Sequence, residues 1–279
     1  MKTLHQYIEE GLLRGMEETL DNGEADIKKI LVEDFINDIY VCESGKSQIP
    51  MTISDKPNSK GLFEVVIHDS ISLKDRWQTE DKQNVKSLTN GHFVIKKVKG
   101  DYEIHHCELD SLEGCPEEIT GSCYIGTVSY RGHVTTLKGG PKKIGKSFKF
   151  TLLHLESLDY LPEIGGSLLC CGCGIKSLKG CPKHIKGNFK IVGDRIESLE
   201  FGPEKVDGYY ECCSCPKLTS LKGCPKYIKG HFKCSWNMNL SSLEGCPEIV
   251  DGDFIKNDCG KRFTKKSVEK YCTVKGVIM

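Results

Sequence analysis

An α+β repeat solenoid, a ladder of parallel strands between helical ends, is the fold class this sequence predicts, on three observations. Leucines in contexts such as "SLEG" and "TLKG" recur at 88, 112, 137, 158, 178, 199, 221 and 243, in steps of 20 to 25 residues. Alternating segments run between them. In "GHFKCS", Phe232 and Cys234 face one way and Lys233 and Ser235 the other, the period of a strand with one buried side. A unit this short cannot bury its own apolar side, whereas stacked copies share one core.

The elements follow in order. Residues 1–41 read as a helical segment. Within it, 2–20 is amphipathic, with Thr3 and Gln6 as a capping box and Leu4, Tyr7, Ile8, Leu12, Met16 and Leu20 largely on one side. "DNGE" (21–24) breaks it, and a second helix over about 26–40 presents Ile27, Ile30, Leu31, Phe35 and Ile36 to the open end of the solenoid. Residues 42–62 are polar and turn-rich, a connector. Coils occupy 63–260, irregular from "LFEVVIHDSISL" (62–73) and in clear register from Leu88. Residues 261–279 form a C-terminal cap, with a short polar helix over "TKKSVEKYC" (264–272).

The unit reads L-x-S-L-x-G-C-P-x-x-I-x-G-x-F-x-C-x-x-N, best kept in "LTSLKGCPKYIKGHFKCSWN" (218–237). Gly230 turns the chain into the strand, and Gly223 with Pro225 marks the far corner. This register explains most of the sixteen cysteines, including the dense "CCGCGIKSLKGCP" (170–182) and "CCSCPKLTSLKGCP" (212–225). Cys170, Cys212 and Cys234 are inward strand residues, matched elsewhere by Ile104, Ile125, Phe150 and Ile191. Cys107, Cys173, Cys215 and Cys259 take an Asn-or-Cys position shared with Asp194 and Asn237. Cys115, Cys181, Cys224 and Cys246 precede the proline of the corner. Buried thiols are the reading this supports. A closed zinc set is not expected, because Ile191 separates Cys170 from Cys212 and no histidine completes four ligands.

Composition narrows the setting. Lys+Arg and Asp+Glu balance at 39 each, so no global field draws the chain to nucleic acid or membrane. Locally, residues 1–40 carry ten acids against four bases, and 138–195 eleven bases against four acids, which reads as a solvated basic face. No apolar run has the length of a membrane span. The acidic N-terminus is no signal peptide, so reduced thiols are expected, in host cytoplasm or in a virion assembled there.

Over roughly 63–260 the unit "SLxGCPxxIxGxFxC" resembles the leucine-rich-repeat-like arrays of tailed bacteriophages and gut bacteria. The resemblance implies protein binding and no cofactor. The copies at Leu88 ("SLTNGHF") and Leu137 ("TLKGGP") depart from the motif. The opening "MKTLHQYIEEG" is similar to the capsid-targeting leader of internal head proteins in T-even-type phages. It implies a cleavable leader over residues 1–10, with Ile8 and Glu10 forming the processing site ahead of Gly11.

No nucleotide-binding, hydrolase or zincin motif is present, so no catalytic residue is assigned. In "IHHCELD" (104–110) the register sends Ile104 inward and His105 outward, which separates them from Cys107. The candidate binding surface is the exposed side of the ladder: Tyr124, Lys149, Lys190, Glu211 and Lys233, with His105, Cys171 and Cys213 beside them and Asp101, Tyr209 and His231 flanking. Cys171 and Cys213 are expected to react with thiol reagents. The longest coil (121–137) predicts a loop with Tyr130, Arg131 and His133 at its tip. Three functions remain open: a virion-associated or head-internal protein that binds another protein, a cytosolic factor sequestering a host protein or nucleic acid, and a metal-dependent enzyme using a cysteine cluster. The first is the reading adopted, with partner and oligomeric state unassigned.

Overall fold

The computed structural model describes residues 24–73, 87–89, 91–105, 109–126, 134–151, 153–260 and 262–279. Its parallel strands wind into a β-solenoid of about 8 turns. The expected α+β composition is corrected: among the described residues only Glu24–Ile39 and Lys265–Glu269 are α-helical. Among the described residues no helix joins successive coils, because the corner "SLxGCP" carries a glycine and a proline where a helix would need an amide donor and backbone rigidity. The return path is instead a second strand, two residues long in most coils.

The first ladder has ten strands: Tyr40–Cys42, Ile71–Leu73, Tyr102–Ile104, Cys123–Gly126, Phe148–Thr151, Leu168–Cys171, Phe189–Val192, Tyr210–Cys213, Phe232–Lys233 and Phe254–Ile255. All neighbours pair in parallel except the first two. The return strands form a six-stranded sheet ending at Glu163–Ile164 and a five-stranded sheet starting at His184–Ile185. The break follows the coil in which Leu158 and Ile164 are one residue closer than Leu178 and Ile185 or Leu199 and Val206.

The core lies between the ladders. All eight register leucines are buried, and Phe189, Tyr210, Phe232 and Phe254 stack with ring centroids 4.9–5.8 Å apart. The Asn-or-Cys position is an inner polar seam. Asn237 donates to the carbonyls of Cys212 and Cys234 and accepts from the Cys215 amide, tying adjacent coils together. Outside the core, successive corners alternate in charge: Glu113, Lys138, Asp159, Lys179, Glu200, Lys222 and Glu244 in one row. In a second row, Lys142–Glu117, Lys183–Glu204 and Lys226–Glu248 pair across coils at 2.9–3.0 Å.

Both ends differ from expectation. The helix Glu24–Ile39 covers the open end, its Phe35 ring 5.6 Å from that of Phe93. Leu31, Phe35 and Ile36 are buried as expected, but Ile30 is 44% exposed and Val32 and Ile39 take its place. The helical period sets 32, 35, 36 and 39 on one side and 30 off it. The expected helical segment 1–41 and connector 42–62 each carry a strand: Tyr40–Cys42 and Met51–Ile53 close the two sheets by antiparallel pairing. The C-terminal cap holds its short helix, with Thr264 as N-cap. It also adds a rung: Thr273–Val274 pairs with Ile249–Val250, and Ile278 bridges to Phe254.

Candidate binding face on the strand ladder

Parallel pairing in register brings equivalent outward residues side by side. The central row runs Glu103, Tyr124, Lys149, Leu169, Lys190, Glu211, Lys233, Ile255. Five of the expected binding residues therefore share one row, and Tyr209 lies at the turn ahead of its strand, near the Lys190 ammonium. Leu169 and Ile255 were not anticipated; in "LLCC" every residue is apolar, so alternation hides which side faces out.

Two arrangements give the row its chemistry. Glu211, with only 12% of its side chain exposed, sits between Lys190 (3.1 Å) and Lys233 (3.4 Å) on the coils either side. Burial pulls the Lys190 ammonium down, but the hydrogen bond and charge of Glu211 outweigh it and raise its pKa. At the other end, Lys149 Nζ lies 4.9 Å from the Tyr124 ring centroid, and that ring packs on His105 at 4.6 Å. The Tyr124 hydroxyl meets Thr151 Oγ1 at 3.0 Å, and His105 Nε2 meets Glu103 Oε2 at 2.6 Å. A shallow cavity of about 390 Å³ opens between these groups and Leu169.

At the rim stands Trp236, which is not among the residues expected from the sequence. It is 53% exposed with φ +57°, next to Lys233, whose Nζ is 5.6 Å from its ring. The signal was available: Trp236 holds the place taken by Gly172 and Gly193 in other coils. Its indole N–H donates to Asp258 Oδ2 on the next coil.

Other expected residues fall elsewhere. His105 belongs to a neighbouring row, in which Thr151, Cys171, Val192 and Cys213 pair. Cys213 is corrected: it is buried, and burial pushes its thiol up to about 12. Cys171 stays half-buried with its pKa also raised by burial. The flanking Asp101 and His231 brace the fold, accepting the amides of Ser122 and Asp253 one coil on. Tyr130, Arg131 and His133 lie outside the described residues, as do Ile8, Glu10, Gly11 and Cys107.

The cysteines hold the register expected of them. Cys170, Cys173, Cys212, Cys215 and Cys234 are buried, and all described cysteines are free thiols. Burial raises Cys115, Cys181 and Cys246 to about 12, so these stay protonated at neutral pH, poor nucleophiles and poor metal ligands. Among the described residues no three His, Cys, Asp or Glu side chains gather where an ion could be held. No helix there is long and apolar enough to cross a membrane.

Comparison of the chain with protein-family models, with curated proteins and with solved structures finds no significant match to any of them.

Proposed function

We propose that this chain is a non-enzymatic binding protein that recognises a protein partner through the outer face of its strand ladder. The observation that carries the reading is the Lys190–Glu211–Lys233 cluster on one sheet with the half-exposed Trp236 at its rim, beside Lys233. Exposed aromatic anchors beside ordered charges are what protein interfaces use at their energetic centres. The charges are paired within the face, so they present a fixed pattern without an ordering cost on binding.

The setting we propose is the particle of a tailed bacteriophage, with the chain associated with the virion or inside its head. Support comes from the N-terminal "MKTLHQYIEEG" and from the repeat motif, each similar to sequences of such phages. Mass spectrometry of the protein's N-terminus from purified particles tests it. A mature chain beginning at Gly11 is the expected result. Absence from particles, or an intact Met1, contradicts the head-internal reading and favours a factor acting in host cytoplasm.

A further inference from the structure

We infer a second binding surface on the opposite corner of the solenoid, an aromatic track for an extended β-linked polysaccharide. The corner residue after "SLx" is glycine at 114, 139, 180, 223 and 245, always with φ between +77° and +97°. At 160 and 201 it is Tyr and Phe, each at φ +66°. A left-handed backbone carries a steric cost for any residue with a side chain. Folding does not repay that cost here, because the two side chains are 63% and 62% exposed. Residues held in such a conformation cluster at active sites and ligand clamps.

The geometry selects the ligand. Gly180 stacks directly on the backbone of Leu158 and Asp159, and its own coil lies between those of Tyr160 and Phe201. The backbones that carry the two rings are therefore two coil spacings apart, roughly 9–10 Å. That distance matches alternate sugar rings of an extended β-linked chain, whose flat C–H faces stack on aromatic rings. Carboxylates and ammoniums border the track on both sides, among them the pairs Lys222–Glu200 and Lys183–Glu204, and supply acceptors and donors for sugar hydroxyls. On the Tyr160 side the track continues into a cavity of about 780 Å³ between Glu113, Leu137, Pro141 and Pro162. A second copy of the chain fits less well. Two aromatic side chains offer roughly 300–500 Å² of surface, below the roughly 800 Å² a side that stable protein interfaces bury.

The test uses the double variant Tyr160→Gly/Phe201→Gly, which restores the residue that the other coils hold at this backbone angle. Full-length wild-type and variant chains are run by affinity electrophoresis through soluble cellulose and chitin derivatives and titrated with cellohexaose and chitohexaose. The expected result is binding of at least one of these probes by the wild type, weakened about tenfold or more in the variant, with the melting temperature unchanged or raised. The inference is overturned by no wild-type binding to any probe, by equal binding by both proteins, or by a lower melting temperature in the variant, which makes the rings structural. Loss of a wild-type dimer in the variant overturns it too, by assigning the surface to self-association.

Discussion

Asp194 shows most sharply how one inner position sets both stability and its pH dependence. It is fully buried, accepting the Ile175 amide at 3.1 Å and the Cys170 thiol at 3.3 Å. Burial raises its pKa above the ordinary carboxylate value, and the hydrogen bonds only partly offset this. The folded chain thus binds this proton more tightly than the unfolded chain. Stability from this group is greatest below the unfolded pKa and falls as pH rises through the folded one. Asn237 fills the equivalent position without charge and uses both amide atoms. Asp194→Asn, with the carbonyls of Cys170 and Ile191 as its acceptors, is therefore expected to raise Tm by a few degrees at neutral pH. The gain should shrink toward acid pH. Melting curves across pH check this, and a lower Tm at neutral pH contradicts it.

At the scale of the element, the coil is held by two strands, a corner and a charged rim. The alternation of acidic and basic coils gives each coil opposite neighbours on both sides, which favours the observed order of stacking over slipped ones. Each pair is exposed and contributes about 0–1 kcal/mol. Reversing one coil with Lys222→Glu and Lys226→Glu sets carboxylates against Glu200, Glu204, Glu244 and Glu248. A fall in Tm of several degrees at low salt is expected, largely recovered near 1 M salt, where screening reaches roughly 3 Å. A loss independent of salt argues against the ladder. The long strands were legible because Phe232–Cys234 and their equivalents alternate over enough residues to show the period. The return strands were not, since pairs such as Lys143–Ile144 are too short to alternate at all. The last rung was missed because "TVKGVIM" keeps the Val-x-Gly turn but lacks the "SLxGCP" that anchored the register.

For the whole molecule, stacking copies of one unit produces faces rather than a pocket. Residues more than 40 positions apart, such as Lys190 and Lys233, meet on one surface because coils repeat in register. That is why the row Tyr124 to Lys233 could be anticipated from alignment of the copies. The same alignment sets Trp236 against Gly172, Gly193 and Ser214, but its exposure comes from a left-handed turn at that position, which strand alternation does not show. The strand face is the centre of the functional account, and site-specific photo-cross-linking tests it most directly. A photoreactive residue is placed at Lys149 or Trp236 on the face, or at Lys226 on the opposite corner as control, in chains produced in the cells that naturally make this protein. One protein cross-linked from both face positions and not from the control is the expected result. Cross-links from the control alone, or none from the face, would contradict it.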